Sequence, residues 1–231
     1  MVIALTGATG FVGSHVADEL SRRGYAVRCL VRSTSNRRWI EGKSYEVVAC
    51  NFSEASSIAE ALRGAESVIH VAGVIAARSM EEFMEGNVGF TRRLLDATRQ
   101  VLSSGFRRFL HLSSLAVAGP APSLDRPITE ESPLRPITPY GISKKAAEDV
   151  VNSAADVLPV TIVRPPAVYG ERDEATLPFF RAVHRGIIPL IGWSAKWISL
   201  VHVRDLARGI VDAFESDATV GKTYFVSSDE F

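Results

Sequence analysis

Val2-Ile3-Ala4-Leu5-Thr6-Gly7-Ala8-Thr9-Gly10-Phe11-Val12-Gly13 decides the fold of this 231-residue chain. A short β-rich apolar run passes directly into three glycines spaced three residues apart. Between a strand and a helix, this layout fits a dinucleotide pyrophosphate site. Gly7 permits the tight turn, Gly10 keeps a Cβ out of the path of the phosphates, and Gly13 lets the helix pack closely on the sheet. The helix N-terminus then offers unpaired N–H donors and the positive end of its dipole to an anion. A glycine triplet alone also describes an ordinary strand-to-helix loop. Here the context supplies what the motif requires: an amphipathic helix over 11–23 and a second strand over 26–31.

Working outward, the pattern predicts strands at 2–6, 26–31, 45–49, 67–71, 108–112, 161–164, 199–201 and 223–226. Helices are predicted at 11–23, 55–62, 81–103, 140–155, 177–185 and 204–215. Strands alternating with helices and no low-complexity linker define an α/β chain with a Rossmann-type doubly wound parallel sheet, one domain over 1–231. Gly24, Gly64, Gly105 and Gly186 read as helix stops and Ser53 as an N-cap. Residues 118–139 hold Pro120, Pro122, Pro127, Pro133, Pro136 and Pro139 and read as a long irregular loop bordering a site.

Composition bounds the function class. With 46% hydrophobic residues the chain can bury a full core. A formal net charge of zero gives no electrostatic footprint for nucleic acid or an anionic membrane. The chain opens at once on a strand, and no apolar run approaches membrane-spanning length, so a cytoplasmic location is expected. Cys29 and Cys50 fall in predicted buried strands, where a small hydrophobe or a disulfide are the alternatives and a reducing compartment favours the first.

Ser114 follows the strand at 108–112, and Tyr140 and Lys144 sit four residues apart on one face of a helix. A lysine ammonium beside a phenol favours the phenolate and lowers its pKa toward a range useful for proton transfer. The same spacing arises in any amphipathic helix with a solvated lysine. Its place downstream of the glycine turn, with a serine at a strand's carboxyl end, favours the catalytic reading.

Together these motifs resemble the extended short-chain dehydrogenase/reductases, the NAD-dependent epimerase/dehydratase family, over essentially the whole chain. The glycine motif stands at Thr6 to Gly13, the serine at Ser114 and the Tyr-x-x-x-Lys pair at Tyr140 and Lys144. An Arg-Pro-x-x-Val-Tyr-Gly run stands at Arg164, Pro165, Val168, Tyr169 and Gly170, and a Val-His-Val-x-Asp-Leu-Ala run at Val201 to Ala207. The resemblance implies catalytic roles for Ser114, Tyr140 and Lys144. It implies cofactor contacts from Gly7, Thr9, Gly10, Phe11, Val12, Gly13, Arg32, Asn51, Phe52, Val71, Ala72, Gly73, Asn87, Leu112, Tyr140, Lys144, Pro165 and Val168, and no metal. Tyr140 would take the hydroxyl proton, Ser114 would hold the reacting oxygen and Lys144 would bind the nicotinamide ribose. Asn87 is either part of a proton relay or a buried polar group bonded to a neighbouring strand. His70, His111 and His202 read as satisfied core or hydrogen-bonding histidines, with no metal-ligand spacing.

Departures from the family pattern narrow the reading. Where NAD-preferring members end the second strand in an acid, this chain has Arg32, with Ser33, Arg37 and Arg38 nearby, so NADP is the expected cofactor and NAD the alternative. Asn51-Phe52 replaces the usual Asp near the adenine. Leu115 and Ala116 follow Ser114 where sugar dehydratases place Asp-Glu, and Lys196-Trp197 replaces the arginine that clamps a sugar diphosphate. The branch it resembles is that of dihydroflavonol reductases and 3β-hydroxysteroid dehydrogenases. The resulting expectation is hydride transfer between NADP(H) and a carbonyl or secondary alcohol of a small non-nucleotide substrate. A nucleotide-sugar epimerase and a non-catalytic NADP sensor are the alternatives. Trp193 and Trp197 would line an apolar pocket, and a substrate lobe would be built from parts of 166–200 and residues after 226, incomplete where the chain stops. A homodimer is expected across the helices at 81–103 and 140–155, with apolar surface drawn from Leu94, Leu95, Ala146, Ala147, Val150 and Val151, some of which must face the subunit's own sheet.

Overall fold

The apolar run after Met1 forms β1 (Val2–Thr6), which pairs in parallel with β2 (Ala26–Val31) on one side and β4 (Ser67–His70) on the other. The computed structural model describes residues 1–187 and 197–228. Adding β3 (Glu46–Ala49), β5 (Arg108–Leu112), β6 (Val160–Arg164) and β9 (Lys222–Phe225) completes a seven-stranded parallel sheet in the order β3-β2-β1-β4-β5-β6-β9. The order reverses between β1 and β4, so a crevice opens there at the carboxyl ends of the strands, the place where such sheets hold ligands.

Alternation along the strands sends side chains into two cores, as burial on both faces of a parallel sheet demands. On one face Ile3, Leu5, Leu110 and Val163 pack under α1 (Phe11–Arg22) and α7 (Val203–Glu215). On the other, Ala4, Val68, Phe109 and Ile162 pack under α2 (Ala55–Leu62), α4 (Phe90–Gln100) and α5 (Pro139–Asn152). Gly24, Gly64 and Gly186 take positive φ after helices, as C-terminal stops require.

Several boundaries differ from expectation for identifiable reasons. The helix expected over 81–103 is three pieces: α3 (Met80–Phe83), a π turn over Met84–Gly89, and α4. The chain leaves helix at Val101, so Gly105 is not its stop. Ser53 does not cap α2; its N–H donates to Asn51 Oδ1 at 3.0 Å, and the cap position falls to Glu54. β8 (Leu200–His202) lies outside the main sheet and pairs with β7 (Ala167–Tyr169), a three-residue strand too short to show a period. β3 is an exposed edge strand and Cys50 lies just past it; Cys29 and Cys50 are both buried free thiols, pushed up to about 12 and about 11 by burial. The expected dimer surface is largely internal: Leu94, Leu95, Ala147 and Val151 are buried in their own core, while Ala146 and Val150 are half-buried. Among the described residues no helix is long and apolar enough to cross a membrane.

Candidate active site at the sheet's carboxyl edge

The glycine turn after β1 is built by close approach. Gly7 has φ +81°, and a Cβ there would lie 2.7 Å from the Ala72 nitrogen, so the turns after β1 and β4 touch at the switch point. A Cβ on Gly13 would lie 2.1 Å from the Gly7 carbonyl oxygen, which seats α1 directly on the turn. Gly10 is different: it is exposed, and its Cβ position meets nothing nearer than 3.4 Å. Gly10 caps α1 with no side chain, leaving the first-turn donors at Phe11, Val12 and Gly13 without a side-chain acceptor. A pyrophosphate fits this cradle by charge and by space.

Ser114 closes the 3₁₀ turn after β5 (Leu115–Val117), accepting a hydrogen bond from the Ala116 N–H at 3.2 Å. Its hydroxyl faces the Tyr140 phenol. Tyr140 and Lys144 sit on α5, which Thr138 caps by accepting from the Gly141 N–H at 3.0 Å, with Pro139 in the first turn. A Cβ on Gly141 would lie 2.5 Å from the Ala116 carbonyl oxygen, so this glycine is what lets the helix carrying the phenol reach the turn carrying Ser114. Glycine inside a helix was the signal for it in the sequence.

Lys144 is buried and donates to the Leu112 carbonyl oxygen at 2.8 Å; burial drives its pKa down to about 8, against the opposing pull of Glu148. A Cβ on Gly73 would stand 3.6 Å from the ammonium nitrogen. Tyr140 is raised by burial, opposed by the Ser114 hydroxyl. This departs from the expected lowering by lysine: the ammonium gives its bond to the strand end, and desolvation of the phenol dominates.

Asn87, on the π turn, is a latch. Its Oδ1 accepts from the Val74 N–H at 2.7 Å, and its Nδ2 donates to the Val74 carbonyl at 3.0 Å and to the Ser143 hydroxyl at 2.8 Å. The extra residue of a π turn re-aims a side chain, and here it ties the segment after β4 to α5. His70 is satisfied between Thr6 Oγ1 (2.7 Å) and Thr91 Oγ1 (3.0 Å) and is held down to about 3 by burial. His111 is not satisfied as expected: it is fully buried with neither ring nitrogen bonded. His202 caps α7, accepting from the Arg204 N–H at 3.3 Å.

The remaining predicted cofactor residues follow strand ends along the same edge. Val71 and Ala72 are half-buried and Gly73 exposed after β4; Leu112 ends β5; Pro165 is buried after β6, its carbonyl accepting from the Leu115 N–H at 2.7 Å; Val168 lies in β7. Asn51 spends its amide on Ser53 and Glu54, and Phe52 stacks at 4.6 Å on Phe90. Arg32 follows β2 fully exposed, and among the described residues its guanidinium has no acidic partner. Arg38, by contrast, is engaged by Glu174 (2.5 Å) and lies over the Trp39 ring. Residues 118–138 lie outside helices and sheet strands, with Pro139 opening α5, and the two ends of this loop adjoin Ser114 and Tyr140. Trp193 and Lys196 lie outside the described residues.

Fold and site define a class: a doubly wound α/β protein with a glycine turn at its switch point and a serine, a tyrosine and a lysine along the same edge of the sheet. The chain belongs to the NAD dependent epimerase/dehydratase family, whose model matches residues 3–227. It is 33% identical to a ceramide reductase of Caulobacter vibrioides over 91% of this chain and 60% of that protein. It is 26% identical to a decarboxylating sterol-4-alpha-carboxylate 3-dehydrogenase of Dictyostelium discoideum over 92% of this chain and 67% of the relative. Among solved structures, DesIV, a dTDP-glucose 4,6-dehydratase from Streptomyces venezuelae with NAD bound, is similar with a TM-score of 0.86 and 28% identity, over 98% of this chain and 75% of that one. The chain thus spans about 60% of the ceramide reductase's length.

Proposed function

We propose that this chain carries the cofactor site and proton-transfer machinery of an NADP-dependent oxidoreductase that interconverts a carbonyl and a secondary alcohol on an apolar, non-nucleotide substrate. The observation that supports it most is the Ser114 hydroxyl facing the Tyr140 phenol, with Lys144 one turn further along α5, beside the uncapped glycine turn. A bound nicotinamide dinucleotide supplies the two-electron donor or acceptor. Tyr140 Oη holds the proton that moves to or from the substrate oxygen, Ser114 Oγ fixes that oxygen, and Lys144 Nζ holds a positive charge at the end of β5, one turn along the helix from the phenol.

Apolar side chains support the substrate class. Ile75 is 73% exposed just beyond Gly73, and Trp197 is 67% exposed. The ceramide and sterol relatives are named for lipid substrates, whereas the Asp-Glu pair that would serve a sugar dehydratase is replaced by Leu115-Ala116. NADPH consumption with a panel of aromatic, alicyclic and long-chain ketones tests the reading. Turnover on one of these classes is expected, whereas interconversion of UDP-sugars without net cofactor consumption would make it an epimerase.

The cofactor preference rests on Arg32. An exposed guanidinium at the end of β2, with no acidic partner, is free to bind a 2′-phosphate with paired donors. Calorimetric titration should show NADP binding roughly tenfold or more tighter than NAD, and Arg32→Asp should reverse the order. Tighter NAD binding by the unaltered protein would reject the assignment.

A further inference from the structure

Glu148 lies one helical turn beyond Lys144 on α5, and Arg164 is the last residue of β6. Their side chains are 1% and 6% exposed. The guanidinium grips the carboxylate with both arms: Nε donates to Oε1 at 2.8 Å and Nη2 to Oε2 at 2.6 Å. Beyond this fork the arginine is poorly served. Its Nη1 is buried without a partner, as is the hydroxyl of Ser113, the residue just past β5. The Phe225 ring lies 5.8 Å from the guanidinium carbon.

Such a pair is hard to account for as a source of stability, because removing two charges from water costs about as much as their attraction returns, and apolar replacements are often neutral or stabilising. Its location is more informative. Arg164 runs straight into Pro165, whose carbonyl holds the Leu115 N–H beside Ser114, and the Ser113 N–H donates to the Val163 carbonyl at 2.7 Å. One end of the fork is therefore fixed to the strand pair that carries Ser114, and the other to the helix that carries Tyr140 and Lys144. The carboxylate is also the acidic group that acts on Lys144.

We propose that Glu148 and Arg164 are positioning residues for the Ser114, Tyr140 and Lys144 site: the fork sets the register of α5 on β6 and fixes a carboxylate one helical turn from Lys144. The inference rests on the reading of Tyr140 and Lys144 as the proton-handling groups. The other titratable and charged groups around Lys144 are His70 on β4 and His111 on β5, both kept neutral by burial, and Arg164 on β6, whose guanidinium is paired with the Glu148 carboxylate. Among the described residues Glu148 is the acidic group acting on Lys144, and it shares its charge with Arg164.

The test is an NMR titration of the Lys144 side chain in isotope-labelled full-length chain, with the signal assigned by its loss in Lys144→Met. Glu148→Gln should move the Lys144 midpoint down by about one pH unit from its starting value near 8. Because that variant strands Arg164 and can fail to fold, the companion is Glu148→Met with Arg164→Met, which leaves no buried charge without its partner. That double variant should melt at or above the parent temperature and shift the Lys144 midpoint down by less than Glu148→Gln, because the Arg164 cation leaves with the carboxylate, and Glu148→Asp alone should shift it least. A folded double variant with an unmoved Lys144 midpoint would overturn the proposal. The titration requires no substrate, so an absence of ketone turnover by the parent protein would count against the proposed function and not against this inference.

Discussion

Tyr140→Phe should lower turnover by roughly a hundredfold to ten-thousandfold while leaving NADPH affinity within about twofold of the parent. The variant deletes only the phenolic hydroxyl. The ring, half-buried and 6.4 Å from the Phe83 ring, keeps its packing, and the Lys144 bond to the Leu112 carbonyl is untouched. Ser114 loses the group its hydroxyl faces, but its cap to the Ala116 N–H holds the side chain in place. The separation of turnover from binding is what identifies a proton-transfer group, because a residue that merely shapes the site would weaken both. Steady-state kinetics on a reactive ketone, paired with fluorescence titration of NADPH, measures the two quantities. Near-normal turnover would remove Tyr140 from the role. Burial raises the phenol and lowers the ammonium, so oxidation of an alcohol, which needs the phenolate, should speed up as pH rises from neutrality.

Stability should fall steeply in mild acid, by about 2 to 3 kcal/mol per pH unit once the pH is well below 6.5. His70 is held down to about 3 and His111 well below its ordinary value, each by burial first and by the Lys144 charge second. Below the ordinary histidine pKa of 6.5 the unfolded chain binds two protons that the folded chain does not. The unfolded state is therefore favoured as pH falls, and the contribution is fully recovered above 6.5. Urea unfolding from pH 8 to pH 5 would show it. His111→Leu should remove about half of the slope and raise stability at every pH, because this ring has no hydrogen bond to lose. His70→Leu should remove its share of the slope but also strand the hydroxyls of Thr6 and Thr91, lowering stability at pH 8. Stability that stays flat between pH 7 and pH 5.5 would contradict the burial of both rings.

The parallel sheet and its helices were legible because their signals are local. The continuous apolar run at 2–5 describes a strand buried on both faces, and glycines at the ends of amphipathic segments mark where helices stop. What misled the reading was context that only neighbours provide. Ser53 has the chemistry of an N-cap, yet Asn51 folds its own amide over the turn and takes the Ser53 N–H first. The π turn at Met84–Gly89 leaves no periodicity strong enough to separate it from the helices on either side. Helical spacing alone does not say which of Leu94, Leu95, Ala146, Ala147, Val150 and Val151 meet the sheet; Leu94 and Ala147 are among those that do.

The site divides along the same line. Residue type and spacing were enough to single out Gly7, Gly10, Gly13, Ser114, Tyr140 and Lys144, because dinucleotide binding and proton transfer need particular groups at short, fixed separations along the chain. Distance in sequence hid the rest. Arg108, the first residue of β5, is fully buried and donates to the carbonyls of Ala213 and Ser216 at the end of α7. Glu148 and Arg164, sixteen positions apart, become one buried fork. The lysine expected to lower the phenol instead bonds a strand end 32 positions away. The sequence by itself therefore determined the order of elements and which groups are candidates for the chemistry, since both follow from local pattern and residue type. Burial and charge compensation, and with them the protonation states of Tyr140, Lys144 and the two histidines, were decided by the tertiary structure, because desolvation depends on which remote segments fold over a group.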